Sequence, residues 1–112
     1  ADEVLIGGLV GEVLNRLDQF KPGCLASIAS SLAALGVRDQ PILDAVQDLI
    51  SSRSDALRAE DLANLVSAFM LWGDKEQVEG VLLAMVLERL DTFGPSDLLA
   101  VVKAYEAHGE PA

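Results

Sequence analysis

A segment of 17 residues occurs three times along the chain, at intervals of 36 or 37 residues. Its copies begin at Phe20, Leu57 and Phe93, and they read FKPGCLASIASSLAALG, LRAEDLANLVSAFMLWG and FGPSDLLAVVKAYEAHG. Each copy has a leucine at its sixth position and a glycine at its end. A fixed period of this length indicates a repeat architecture, in which each copy covers the apolar face of its neighbour.

The residue pattern within each copy predicts a helix, which we call helix A. Pro22 and Pro95 stand at the first helical position, where no N–H is needed, and Asp61 and Asp97 follow in the first turn, where the helix dipole favours negative charge. Apolar or aromatic positions then recur at helical spacing. They are Leu25, Ile28, Ala29, Leu32 and Leu35; Leu62, Leu65, Val66, Phe69 and Trp72; and Leu98, Val101, Val102, Tyr105 and His108. The closing Gly36, Gly73 and Gly109 predict left-handed C-caps.

A second helix, helix B, is predicted after each turn. Residues 1–20 align without a gap to residues 74–93, and the pairs Leu9/Leu82 and Arg16/Arg89 are among the identities. The middle copy runs from Pro41 to Ser52. Its predicted buried positions are Ile42, Val46, Leu49 and Ile50.

The sequence therefore predicts an all-α fold, an α-solenoid of about six antiparallel helices in the order B-A-B-A-B-A. Residues 1–19 are the second helix of a preceding repeat, 20–56 and 57–92 are complete repeats, and 93–112 are the first helix of a further repeat. Free-standing solenoids carry polar capping helices, whereas residues 1–19 keep an apolar face. We therefore expect a single helical-repeat segment of a longer chain, with ends that neighbouring repeats or partner chains cover.

Composition limits the functions that such a chain can perform. The formal net charge is −10, which gives no overall attraction for nucleic acid and favours basic partners. Cys24 is the only cysteine and His108 the only histidine, and they lie in different copies, so we find no catalytic or zinc-binding constellation. The longest apolar stretches fall short of the roughly 20 residues of a membrane span. We expect no enzyme activity, cofactor, metal, small-molecule substrate or membrane contact.

The first two copies of the repeat resemble the consensus of octotricopeptide-type repeats, which are also found in RAP-domain proteins and their heptatricopeptide relatives. Leu62-Ala63-Asn64 and Gly73 are the closest matches, and the resemblance covers almost the whole chain. It implies a role in RNA processing, translation or ribosome assembly in an organelle, a mitochondrion rather than a chloroplast. The acidity departs from that family, and the sequence shows no RAP domain.

Two sets of residues are candidates for a partner or RNA surface. The first is the outward side of the A helices, with Ser27, Ser30, Asn64, Ser67 and Lys103. Small hydrogen-bonding residues occur where helical repeats read bases one by one, but they also simply allow neighbouring helices to approach closely. The second set lies at the corners between a B helix and the next A helix, with Arg16, Arg53, Arg89, Lys21 and Arg58. These cations could hold phosphates, or they could balance helix dipoles and the nearby Asp18, Asp55 and Asp91.

Acidic residues concentrate on the B helices, where they predict a solvated outer surface. Asp44 and Asp48 are one helical turn apart and must share a face. Such a surface could meet a basic protein tail. Two hypotheses follow: a non-catalytic binding scaffold in an organellar RNA-processing, translation or ribosomal assembly, and an acidic protein–protein adaptor or structural subunit of another large complex without RNA contact.

Overall fold

The computed structural model describes residues 2–108, with the side chain of residue 108 excepted, and this part of the chain is helical without any strand. The prediction of an all-α fold is confirmed for these residues. The helices are α1 (Glu3–Asn15), α2 (Pro22–Ala34), α3 (Gln40–Ser52), α4 (Ala59–Leu71), α5 and α6 (Pro95–His108). Helix α5 joins an α-helical turn (Lys75–Gln77), a π-helical turn (Val78–Leu82) and a further α-helical segment (Leu83–Glu88). The predicted A helices are α2, α4 and α6, and the B helices are α1, α3 and α5.

A short 3₁₀ helix follows each B helix and forms the corner that leads into the next A helix. These turns are Leu17–Gln19, Ser54–Ala56 and Leu90–Thr92, and they recur with the same period as the sequence repeat. The hydrophobic residue after each turn opens the next A segment: Leu57 and Phe93 are buried and Phe20 is half-buried. The repeat in sequence is thus also a repeat in local structure.

The first two A helices end as the sequence predicts. Gly36 and Gly73 adopt left-handed backbone conformations, with φ of 77° and 81°. The N–H that follows each glycine donates to the carbonyl oxygen five residues earlier, at 2.9 Å in both cases. This is the Schellman motif, which satisfies carbonyls at a helix end and favours glycine because the left-handed conformation is strained for other residues. The predicted third cap, Gly109, lies outside the described residues.

Helix α4 lies at the centre of the molecule, because it packs against α2 on one side and α6 on the other. Helix α3 contacts α2, and α5 contacts α4. The largest fully buried side chains come from these central helices and include Ile42, Leu43, Leu62, Leu65, Phe69 and Leu82. The predicted buried positions of the middle B helix are confirmed: Ile42, Val46, Leu49 and Ile50 are all at most 5% exposed.

Helix α5 is one residue longer than α3, and its π-helical turn accommodates the extra residue. Asp39 and Arg53 are the residues that flank α3, whereas Asp74 and Arg89 flank α5, which is one residue longer. A π turn absorbs such an insertion without ending the helix. As a result, Val78, Leu82 and Val86 lie on one buried face and are 0%, 0% and 4% exposed.

The apolar stripes of the first and last A helices, α2 and α6, are less buried than the sequence predicts. Leu98 and Val102 on α6 and Leu35 on α2 belong to the predicted apolar stripes, but their exposed fractions are 41%, 61% and 57%. An apolar stripe is buried only where a neighbouring helix covers it. Within the described residues α4 has an A helix on each side, whereas α2 and α6 have one only on the side that faces α4.

Candidate partner-binding surfaces

The three corner arginines have equivalent backbone positions. Arg16, Arg53 and Arg89 follow the last residue of their B helices, with φ of −122°, −133° and −115° and ψ of 27°, 33° and 20°. Because the same local conformation precedes the same 3₁₀ turn in each case, the repeat places their Cα–Cβ bonds equivalently. Their side chains nevertheless differ in environment.

Arg89 connects two repeats. Its Nη1 donates to the carbonyl oxygens of Ser54 and Leu57, at 2.9 and 2.8 Å, in the preceding corner. The side chain is half-buried, whereas Arg16 and Arg53 are exposed. A guanidinium held by two backbone carbonyls stabilises the packing of successive repeats, and it has fewer donors left for a phosphate. An exposed row of all three arginines is therefore not what the structure shows.

Among the residues that the structure describes, the nearby aspartates form no ion pairs with these arginines. Arg16 pairs with Glu12 on its own helix, with Nη2 and Oε2 2.9 Å apart, and no ion pair links a corner arginine to Asp18, Asp55 or Asp91. Arg16 pairs with Glu12 because residues four apart lie on the same face of a helix. Both side chains are 59% exposed, so the pair contributes little to stability.

The structure brings three of the candidate residues together in one surface depression. Lys21, Ser27 and Arg58 line it, together with the acidic side chains of Glu60 and Asp61. Arg58 also lines the next depression, where Arg89 is its basic neighbour and three carboxylates, those of Asp55, Glu60 and Asp97, surround them. The cations of this edge therefore lie beside a similar or larger number of anions.

The other A-helix candidates are accessible but scattered. Ser27 and Lys103 are exposed, and Ser30, Asn64 and Ser67 are half-buried. They come from all three A helices. Only Ser27 lies in the depression that Lys21 and Arg58 line. Nothing in their arrangement distinguishes base reading from close helix packing.

The acidic residues that the sequence predicts on the B helices are accessible. All seven are exposed, and we call them the acidic B surface: Glu3, Glu12, Asp44, Asp48, Glu76, Glu79 and Glu88. Glu12 and Glu79 have cationic neighbours on their own helices, Arg16 and Lys75. Asp44 accepts a hydrogen bond of 2.9 Å from the Gln40 amide. The shared face predicted for Asp44 and Asp48 agrees with the exposure of both side chains.

A polar contact between two A-helix ends was not predicted from the sequence. The indole Nε1 of Trp72 donates to the carbonyl oxygen of Val37 at 2.7 Å, and Nη1 of Arg38 donates to the carbonyl oxygen of Trp72 at 2.7 Å. Nη2 of Arg38 also bonds Asp74, 3.2 Å from Oδ1. We call these residues the interrepeat clasp. The available signal was the single tryptophan of the sequence, since a buried indole N–H needs an acceptor.

Asp61 and Asp97 close the first turns of their A helices, as their positions predict. The Asp61 carboxylate accepts from the backbone N–H of Arg58 at 2.9 Å, and that of Asp97 accepts from Gly94 at 3.1 Å. Asp61 is only 4% exposed and lies against Gly23 of the preceding A helix. These carboxylates are structural caps.

Other chemistry-bearing residues stay apart. Cys24 is an exposed free thiol. Among the side chains that the structure describes, Cys, Asp and Glu form no group of three or more that could hold a metal ion. None of the helices described combines the length and apolar character that a membrane span requires. The predicted slot of the His108 side chain lies outside the described part of the chain.

Comparison with known proteins gives no further guide. No protein-family model matches the sequence, and no curated protein or solved structure is significantly similar to it. The function must therefore be inferred from the geometry and the residues themselves.

Proposed function

We propose that the chain is a non-catalytic α-solenoid of antiparallel helix pairs that serves as a binding scaffold in an RNA-processing, translation or ribosomal assembly. The row of A helices and the recurring corner turns support the solenoid. The resemblance of residues 20–36 and 57–73 to octotricopeptide-type repeats supports the type of assembly and an organellar location, in a mitochondrion.

The proposed partner is a basic protein segment that binds the acidic B surface. The observation that carries this proposal is the exposure of seven carboxylates on the three B helices, two of which have a cationic neighbour. Asp44 and Asp48, on the middle B helix α3, have no cation within ion-pair distance among the described residues. Exposed carboxylates attract a basic partner and raise its association rate.

RNA contact is the second candidate, and one observation favours it. Lys21, Ser27 and Arg58 line the same depression, so a backbone phosphate there could meet two cations and a hydroxyl. Glu60 and Asp61 line it as well, however, and they reduce the local positive potential. For this reason a basic protein partner is the better supported proposal.

Fluorescence anisotropy can test both candidates with two labelled probes, an oligolysine peptide and a single-stranded RNA of similar length. The peptide should bind, and the variant Asp44→Asn/Asp48→Asn should bind it several-fold more weakly. Asp18→Asn/Asp91→Asn is the matched control, because it removes the same charge from exposed corner positions outside the acidic B surface. Equal losses in the two variants would mean that only net charge matters, and would contradict a localised site.

The RNA probe separates the two candidate functions. We expect weak binding that Lys21→Gln/Arg58→Gln leaves unchanged. If the RNA instead binds more tightly than the peptide, and the double variant reduces both its affinity and the salt dependence of binding, the RNA candidate replaces the protein candidate.

A further inference from the structure

An arginine closes the second corner of the chain, the 3₁₀ turn Ser54–Ala56, but not the first corner, Leu17–Gln19. At the second corner, Nη1 of Arg89 donates to the carbonyl oxygens of Ser54 and Leu57, at 2.9 and 2.8 Å. The residues in the same positions one repeat earlier are Arg53, Leu17 and Phe20. This earlier arginine is exposed, and within the described residues its side chain donates to neither carbonyl.

A surface depression with a volume of about 130 Å³ lies at the first corner. Its walls are mostly apolar, and Asp48 and Arg53 are the charged residues that line it. The other lining residues are Leu17, Phe20, Pro22, Leu25, Ala45 and Leu49. Leu17 and Phe20 are the residues whose carbonyls correspond to the acceptors at the second corner. The depression is larger than one water molecule requires, so the first corner has space for a side chain of the kind that the second corner already holds.

Asp48 gives the first corner a negative charge that the equivalent positions lack. The residue five positions before the corner arginine is Asp48 on α3, but it is Gly11 on α1 and Ala84 on α5. Oδ1 of Asp48 lies 3.4 Å from the Ser52 hydroxyl, and no ion pair among the described residues includes this carboxylate. Arg53 lines the same depression without pairing with it. A carboxylate beside apolar walls suits a cation that has an aliphatic stem.

We propose that the depression at the first corner binds an arginine side chain of the basic partner segment. The inference rests on the proposed function, because it names the residue by which that segment is held. The guanidinium donates to the carboxylate of Asp48 and to the carbonyl oxygens of Leu17 and Phe20, as Arg89 does to the corresponding carbonyls, and its stem packs against Leu49. Arginine fits better than lysine because a guanidinium has five donors in a fixed planar arrangement and is less strongly hydrated than an ammonium group.

Arg53 is the alternative occupant, and thermal unfolding distinguishes it from a partner's arginine. Arg89→Gln should lower the melting temperature by several degrees, because it removes two hydrogen bonds between repeats from a half-buried side chain. Arg53→Gln should leave the melting temperature unchanged, because the exposed guanidinium makes no equivalent bonds. Equal decreases in the two variants would mean that Arg53 fills the depression, and they would overturn the inference.

Fluorescence anisotropy with two labelled peptides tests the partner's residue. One is a short oligolysine, and the other is the same peptide with its central lysine replaced by arginine, so their lengths and charges are equal. The arginine peptide should bind the wild type several-fold more tightly, and Asp48→Asn should remove this preference. Asp44→Asn is the matched control, because Asp44 is exposed one turn away on the same helix but does not line the depression. It should weaken both peptides alike and keep the preference.

Ala45→Leu tests the depression without changing any charge. Ala45 is a half-buried lining residue, so a larger side chain there should occupy the space, remove the preference for arginine and leave the affinity for oligolysine unchanged. Equal binding of the two peptides to the wild type overturns the inference but not the proposed function. So does a preference that survives Asp48→Asn or Ala45→Leu, or one that Asp44→Asn removes. If neither peptide binds, the proposed function fails and the inference fails with it.

Discussion

Trp72 and Val37 are 35 residues apart in sequence and are joined by a hydrogen bond of 2.7 Å from the indole Nε1 to the backbone carbonyl. Trp72 ends helix α4, and Val37 follows the glycine that ends α2, so the bond links the same end of two consecutive A helices. The indole also packs edge-on against Phe69, with ring centroids 5.5 Å apart. The hydrogen bond thus links the ends of α2 and α4, while the aromatic contact lies within the α4 segment and holds the indole in place.

Replacing Trp72 tests how much this contact stabilises the fold. Trp72→Phe removes the N–H donor and some volume at a position that is 9% exposed, and we expect it to lower the free energy of unfolding by about 2 kcal/mol. Urea denaturation measures this change. Tyr105→Phe is the control, since it removes a polar atom from a half-buried aromatic residue outside the clasp. A loss no larger than that of the control would contradict the assigned role.

Arg38 should matter more than its ion-pair partner Asp74. The guanidinium donates to the carbonyl oxygen of Trp72 as well as to Asp74, so Arg38→Ala loses two contacts and Asp74→Ala loses one. The ion pair is partly exposed, and we expect a coupling energy of about 0.2–1 kcal/mol that decreases with added salt. A double-mutant cycle of unfolding free energies measures it. Equal effects of the two single substitutions would mean that the bond to Trp72 contributes nothing.

The contact between Gly23 and Asp61 predicts a non-additive pair of substitutions. A Cβ atom at Gly23 would lie 2.9 Å from Oδ1 of Asp61, whose other oxygen accepts the N–H of Arg58. Gly23→Ala should therefore displace a cap worth about 1 kcal/mol, in addition to the cost of crowding. In an Asp61→Ala background that contact is gone, and the same substitution should cost less. Identical costs in the two backgrounds would contradict the close approach.

Gly7 provides the control for that pair. It lies inside α1, and a Cβ atom there meets nothing within 4 Å. Gly7→Ala should stabilise the protein by about 0.5–1 kcal/mol, because alanine loses less backbone entropy in a helix than glycine. Thermal unfolding followed by circular dichroism reports both substitutions, and they should shift the melting temperature in opposite directions.

The repeat period made much of this fold predictable from the sequence. Several features depend only on residue preferences within a single helix. They include the turn glycine Gly36, the capping aspartate Asp61 and the apolar spacing of α3. For the same reason the exposure of the acidic residues on the B helices could be predicted. Asp44 and Asp48 are one helical turn apart, so they share a face regardless of which helices lie nearby.

The remaining features depend on neighbours, and local patterns do not encode them. Leu98 belongs to the same stripe as Leu62, but its burial depends on whether another helix follows. Arg89 resembles Arg16 in sequence context, yet it reaches the carbonyls of an earlier corner. The sequence likewise does not reveal that Arg38 contacts Trp72 rather than solvent, because the contact requires the relative placement of two helices.

Cys24 allows the repeat to be used to stabilise the protein. It is equivalent to Asp61 and Asp97, but α2 begins without any side-chain cap. Cys24→Asp should place a carboxylate where it can accept the N–H of Lys21 and interact with the dipole of α2, and it should raise the free energy of unfolding by about 0.5–1 kcal/mol. Because Cys24 is exposed, the change disturbs no packing. Chemical denaturation of the variant measures the gain.

The control for this substitution is Cys24→Asn, which has the same shape as aspartate but no charge. It should gain less than Cys24→Asp, since it keeps the hydrogen-bond acceptor and loses the interaction with the dipole, and added salt should reduce the difference between the two variants. The repeat register predicts the gain from Asp61 and Asp97 alone. If Cys24→Asp is no more stable than the wild type, the residues around position 24 do not reproduce the cap geometry of the later copies, and equivalence in sequence does not extend to the start of α2.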